Sequence, residues 1–191
     1  MDYKLLGKTG IKVSELCLGT MTFGTDWNFG SDKGESQRVF DAFVNAGGNF
    51  FDTANIYTTG TSEKYLGEFM QSERDNLVIA SKYSLTESNK INLSGNSRKN
   101  MTQSVEGSLK RLGTDYIDLY YVHAWDFLVA PEELMRNLEY LLASGKILSI
   151  GISDTPAYIT SRCNTLAELR GWNQFAAYQV EYCLTERTAD R

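Results

Sequence analysis

Ile117-Asp118-Leu119-Tyr120-Tyr121-Val122 is a near-continuous run of strand-forming side chains, with His123 standing at its end. A strand that is apolar on both faces suits a parallel sheet covered on both sides, rather than the one-sided alternation of an antiparallel ribbon. Ahead of it, Arg98–Leu112 has helical period, and Gly113 follows where a left-handed residue ends a helix. Behind it, residues 131–144 repeat the helical period, and Pro131 fits a first turn, where a missing N–H costs nothing. A strand between two helices is the unit of an α/β fold.

Working outward, the same alternation recurs. Strands are predicted at 15–18, 49–52, 77–81, 147–152 and 176–180, and helices at 35–46, 62–70 and 156–170. From the second strand onward the pulse is roughly thirty residues, the size of one βα unit. Ser62 before Glu63 predicts a cap for the second helix, Pro156 fits a first-turn position, and Gly145 and Gly171 predict two more helix ends. Residues 3–13 form a separate pattern, two short apolar runs around Gly7-Lys8-Thr9-Gly10, which predicts a β-hairpin ahead of the first parallel strand. Two loops, 25–34 and 84–97, are long and polar, as functional loops often are.

Alternating βα units give either a doubly wound sheet or a closed barrel. No GxGxxG follows the first strand, so the dinucleotide fingerprint of the doubly wound fold is missing. Reactive side chains instead fall at the C-terminal ends of many strands: Gly19, Thr20 and Met21 after the first, Asp52 at the second, Lys82 after the third, His123 at the fourth, Ser153 and Asp154 after the fifth, Gln179 at the sixth. In a (β/α)₈ barrel those ends converge on one face, which carries the active site. Each residue has a plain reading when taken alone: Asp52, Ser153 and Asp154 as caps, Lys82 as a surface lysine, His123 as a structural histidine. Packing does not explain all of them together.

Composition narrows the function. The chain has 191 residues, 42% of them hydrophobic and 23% charged, with a net charge of −5. No segment concentrates Lys or Arg, which argues against nucleic acid and anionic membranes as partners. No apolar run approaches the ~20 residues of a bilayer span, and residues 1–4 lack the apolar stretch of a secretory signal, so a cytoplasmic protein is expected. Cys17, Cys163 and Cys183 are odd in number and widely spaced, which predicts reduced thiols. A single histidine excludes a His-rich metal site, and no metal is expected.

Several segments resemble one family. Asn49-Phe50-Phe51-Asp52-Thr53-Ala54-Asn55-Ile56-Tyr57 is similar to the aldo-keto reductase segment that carries the catalytic Asp and Tyr. Val78-Ile79-Ala80-Ser81-Lys82 resembles its lysine strand, and Leu119-Tyr120-Tyr121-Val122-His123 its histidine strand. Arg111 to Asp118 resembles the approach to that strand, Gly145-Lys146-Ile147 and Gly151-Ile152-Ser153 the fifth strand, and Tyr178-Gln179-Val180-Glu181-Tyr182 the sixth. The resemblance runs the length of the chain in order. Around His123-Ala124-Trp125-Asp126 and the helix after Asp154 it is nearest the bacterial aryl-alcohol-dehydrogenase-like members.

The resemblance implies a single domain over 1–191 of (β/α)₈ TIM-barrel type, reducing small-molecule aldehydes or ketones with NADPH. Tyr57 would be the general acid, Lys82 its activator, Asp52 the partner of Lys82, and His123 the group that orients the substrate oxygen. A lysine ammonium beside a phenol stabilises the phenolate that proton donation leaves behind. Ser153, Asp154 and Gln179 stand where the family holds the nicotinamide carboxamide, and Gly19, Thr20, Met21 and Asp52 toward its ribose. Many members have Asn at the place of Asp154, and an ionised Asp can only accept. Phe23, Trp27, Tyr83 and Trp125 are candidates for an apolar wall around the substrate, with core packing as the alternative.

About six of the eight strand–helix units of such a barrel are present. The chain is therefore expected to lack the last two, with residues 186–191 inside the helix after the sixth strand. Two strand edges would be left uncovered, which implies self-association. Three other readings stay open: a cofactor-binding regulatory subunit, an inactive remnant, and an unrelated barrel enzyme that uses Lys82 as a Schiff base.

Overall fold

The computed structural model describes residues 1–190. A two-stranded antiparallel hairpin comes first, β1 (Tyr3–Leu5) with β2 (Lys12–Ser14). Then strands and helices alternate: β3 (Leu18–Gly19), α1 (Lys33–Asn45), β4 (Phe50–Asp52), α2 (Thr61–Phe69), β5 (Val78–Tyr83), α3 (Arg98–Leu112), β6 (Ile117–Val122), α4 (Pro131–Ala143), β7 (Ile147–Ser153), α5 (Ala157–Arg170) and β8 (Ala177–Gln179). The last six strands form one parallel sheet in sequence order, β3-β4-β5-β6-β7-β8, which curls into an open half-barrel. This is the (β/α)₈-type arrangement anticipated from the sequence, with β3 and β8 as its two edges.

The period-2 geometry of a strand sorts the side chains onto two faces. Phe50, Val78, Ala80, Leu119, Tyr121 and Ala177 face the concave side, where Leu6, Ile11 and Val13 of the hairpin region pack against them. Phe51, Ile79, Tyr83, Tyr120, Ile150 and Ile152 face outward and are covered by Phe40, Leu66, Met101, Leu134 and Cys163 from the helices. Each such aliphatic or aromatic side chain contributes roughly 1.5–3 kcal/mol when fully buried, so this outer layer dominates stability. On the concave side Tyr121 lies over Gly151, where an added Cβ would come within 2.4 Å of the ring. At the floor the hairpin turn approaches the lead-in to β8. Gly7 has φ +56°, and a Cβ there would lie 2.2 Å from the Ala176 carbonyl oxygen.

Most helix ends follow the expected chemistry. The Asp32 side chain accepts from Glu35 N at the start of α1, and that of Ser97 from Asn100 N at the start of α3. Gly113 and Gly171 end α3 and α5 with φ of 63° and 66°. Some expectations are corrected. Ser62 does not cap α2: it is buried inside the first turn, and its hydroxyl bonds Thr20 and Thr53. Pro156 stands just before α5 rather than in its first turn. The first parallel strand is only Leu18–Gly19, because Glu15 N turns back to Asp2 O and Ser14 Oγ donates to Leu16 O. No α-helix follows β8 among the described residues; Thr188–Asp190 is a single 3₁₀ turn, and Arg191 lies outside the described residues.

Candidate active site

Adjacent parallel strands are in register, so interior-facing positions at their C-terminal ends form a row. Gly19 is opposite Asp52, Lys82 opposite Tyr121, Gly151 opposite Ala177, and Ser153 opposite Gln179. His123 continues the Leu119–Tyr121 parity one step beyond β6. One face of the curled sheet therefore presents Asp52, Lys82, His123, Ser153 and Gln179 at its upper rim.

Lys82 is the hub. It is 1% exposed, and its ammonium donates to Asp52 Oδ2 at 2.5 Å, to Thr53 O at 3.0 Å and to the Tyr57 hydroxyl oxygen at 3.1 Å. An ammonium has three donors, and all three are used. Tyr57 comes from the loop after β4, where a short turn over Tyr57–Gly60 swings it back over the lysine. The Lys82 Nζ also sits 4.8 Å from the centre of the Tyr57 ring. His123 packs edge-on to that ring, with centroids 5.8 Å apart. Burial, reinforced by the Lys82 charge, lowers the His123 pKa to about 4, so its imidazole is neutral at neutral pH.

Two buried atoms of this cluster have no partner within the described chain: Asp52 Oδ1 and His123 Nδ1. Buried polar atoms are normally satisfied, so orphans at a strand-end rim mark where a bound molecule would supply the missing bonds. Four of the residues singled out from the sequence, Asp52, Tyr57, Lys82 and His123, are thus one contiguous cluster. Ser153 is buried and Gln179 half-buried on the neighbouring rim, and Asp154 N donates to Gln179 O at 3.3 Å. The Asp154 side chain is exposed on a backbone with φ of 38°. Gly19 leaves open space where a Cβ would be, and Met21 is exposed. Thr20 differs: it is fully buried, and its hydroxyl donates to Asp52 O and bonds Ser62. The open rim at Gly19, the two orphaned atoms and the amide and hydroxyl groups of Gln179 and Ser153 fit a flat, polar, hydrogen-bonding ring such as a nicotinamide.

Of the four aromatics considered for the wall, Trp27 alone meets the cluster, packing edge-on to Tyr57 at 6.4 Å. Its indole donates to Glu87 Oε1 at 2.6 Å, which joins the two long loops. Phe23 and Tyr83 belong to the outer core instead, Phe23 against Phe69 and Tyr83 stacked on Tyr120. Trp125 is largely buried and lines a hollow of about 400 Å³ with Leu85, Ile91 and Val129. A larger depression, about 920 Å³, lies at the opposite end of the strands, between the hairpin turn and Trp172, away from all of these groups.

Sequence reasoning missed the supporting polar shell. Asn96 N donates to Asp126 Oδ2 at 2.7 Å and Asp126 N to Asn96 Oδ1 at 2.8 Å, a reciprocal pair that clasps the loops after β5 and β6. Glu63 is buried behind Lys82, where it accepts from Ser81 and Arg111. Its place beside Ser62 read as ordinary first-turn chemistry, and nothing local marks a helix-start Glu as buried. No cluster of His, Cys, Asp and Glu among the described residues has the form of a metal site, and no helix among them is long and apolar enough to cross a membrane.

Comparison with known proteins bears on this geometry. A sequence model described as the aldo/keto reductase family matches residues 15–191. Norsolorinic acid reductase stcV of Emericella nidulans is 46% identical, over 95% of this chain and 50% of its own length. Aryl-alcohol dehydrogenase [NADP(+)] of Phanerodontia chrysosporium is 43% identical, over 95% of this chain and 51% of its own. Aldo-keto reductase ausK of Emericella nidulans is 40% identical, over 99% and 51%. The chain thus spans about half the length of the curated relatives it matches.

Proposed function

The chain belongs to the aldo/keto reductase family, and from that premise we propose that it reduces aldehydes or ketones, aryl carbonyls above all, to alcohols with NADPH. The observation that carries this reading is the Asp52–Lys82–Tyr57 chain of contacts with His123 against its end. The aryl preference is supported by Trp27 standing against Tyr57 and by a relative named as an aryl-alcohol dehydrogenase. The choice of NADPH is supported by the NADP(+) in one relative's name.

A bound nicotinamide would supply hydride to the carbonyl carbon. The chain's own residues manage the oxygen. Tyr57 accepts a hydrogen bond from Lys82, so its own proton is free to turn toward the rim and pass to the carbonyl oxygen. The phenolate left behind is stabilised by the adjacent ammonium, which Asp52 and the Thr53 carbonyl hold in place. Neutral His123 can hydrogen-bond the substrate oxygen without competing as a charged acid. Ser153, Asp154 and Gln179 would hold the carboxamide, and Gly19, Met21 and the free Asp52 Oδ1 the ribose side. Three free cysteines, one of them buried, suit a reducing, cytoplasmic setting. The β3 and β8 edges, each paired on one side, are where copies would associate.

The test is NADPH oxidation with an aromatic aldehyde, on this chain and on Tyr57→Phe. A loss of about 10²–10⁴ in kcat is expected, the usual worth of a tuned acid, with cofactor affinity retained. Equal turnover by the two proteins would rule Tyr57 out as the acid.

A further inference from the structure

Directly after Tyr57 the backbone adopts a shape that its residues resist. Thr58, Thr59 and Gly60 all lie in the left-handed region, with φ of 46°, 55° and 90°. Glycine tolerates this, but two consecutive β-branched residues do not, and such conformations persist only where the surroundings over-determine them. The Thr58 side chain supplies one restraint: its hydroxyl donates to Phe23 O at 2.6 Å and accepts from Ser62 N at 3.0 Å. A second set of buried contacts gathers just beyond the turn, at Glu63.

We propose that Glu63 is a positioning residue, whose buried carboxylate holds this turn in its left-handed form and so fixes the Tyr57 hydroxyl against Lys82. Its side chain has no exposed surface. One oxygen accepts from Ser81 Oγ at 2.6 Å, and the other from Arg111 Nε at 2.6 Å. Ser81 is the chain neighbour of Lys82 on β5, facing the helices while Lys82 faces the rim. Arg111 belongs to α3, and its aliphatic stem lies against Gly60, where an added Cβ would come within 2.8 Å of Cδ. Glu63, in the first turn of α2 just beyond that loop, thus ties the helix to the lysine strand and, through Arg111, sets an aliphatic stem against the strained turn. Stability alone does not account for the arrangement, because a buried ion pair is commonly no more stabilising than well-packed apolar side chains of the same volume. What a carboxylate adds over such packing is fixed geometry at two hydrogen bonds.

The inference rests on reading Tyr57 as the proton donor, and the experiment separates the two. Glu63→Ala removes both bonds, Glu63→Gln restores an acceptor for Ser81, and Ser81→Ala cuts only the tie to the lysine strand. Hydrogen exchange of the peptide spanning residues 55–62 is measured on each, together with thermal midpoint, kcat and KM. The expected result is faster exchange confined to that peptide. A fall of about 10²-fold in kcat should accompany it in Glu63→Ala, the size of effect an ångström of misplacement produces, with KM little changed and partial recovery in Glu63→Gln. Should Glu63→Ala not fold, Ser81→Ala carries the test alone, with the same signature and a smaller loss. If the parent protein shows no turnover, the activity reading fails and the exchange pattern alone judges the strut. Unchanged protection over 55–62 in folded variants, or rate losses that merely track thermal stability, would overturn the proposal.

Discussion

The two halves of the rim are built to different standards. On the β4–β6 side, Asp52, Tyr57, Lys82 and His123 are joined by direct contacts, with Lys82 fully sequestered and every donor used. On the β7–β8 side, Ser153 and Gln179 are neighbours by strand register, Asp154 points into solvent, and β8 is a three-residue edge. The first half is organised by the chain's own interactions. The second presents hydrogen-bonding side chains that are brought together by strand register alone. A proton-transfer device must hold its geometry before substrate arrives, because orientation paid for in advance is what accelerates the step. A binding surface can take its final form as the ligand binds.

If that contrast is right, removing Lys82 should damage the fold as well as the chemistry. Lys82→Met leaves the Asp52 carboxylate buried without its cation, and breaking a buried pair this way typically costs about 3–5 kcal/mol. Urea unfolding of the variant should show a loss of that order, with no turnover; wild-type stability would place Lys82 on the ligand-dependent half. A smaller effect tests His123 through pH. Its folded pKa of about 4 lies below the ordinary 6.5, so between those values the unfolded chain takes up a proton that the folded protein refuses. Stability should fall as pH drops from 6.5 toward 4, by up to on the order of 3 kcal/mol. His123→Gln should flatten that slope, and the parent's kcat should show no histidine limb near pH 6.5. A variant that keeps the full slope would locate the titration elsewhere. The smallest structural effect is expected at Gln179→Ala, within about 0.5 kcal/mol of the parent in unfolding, as for a surface change. Its cofactor Kd should nonetheless rise several-fold by fluorescence titration. Marked destabilisation instead would mean that this side too is held by its own contacts.

How far the amino acids announced this arrangement depends on how local its causes are. β6 and α3 follow the expected bounds residue for residue, because a long apolar run and a capped amphipathic segment each carry their own signal. β3 begins at Leu18 instead of Glu15 because a two-residue edge is defined by its partner, not by its own propensity. Asp52, Lys82 and His123 were legible because reactive residue types at successive strand ends are hard to explain as packing; Tyr57, in a loop, and all four roles came from the family resemblance alone. The turn after Tyr57 was not legible at all: two threonines argue against positive φ, and the groups that meet the turn, Phe23 O and the stem of Arg111, come from elements distant in sequence. Arg111 itself stood out in the sequence only as the start of the segment that leads to the histidine strand. Glu63 and Asn96 were missed for the same reason, since polar residues near helix starts look alike until tertiary partners are known.

The approach of Gly7 to Ala176 has a kinetic side. A contact between residues near opposite ends of the described chain forms only after almost everything between them has been ordered, and closing so long a loop is slow. The barrel floor is therefore expected to seal late. Until β8 has found β7, the hairpin has no carbonyl to rest on, and the concave faces of Val78, Leu119 and Tyr121 lie open to water and to other chains. Protection of those faces thus depends on the floor, where Gly7 lets the hairpin turn meet Ala176, and not on the rim where the chemistry is proposed to occur.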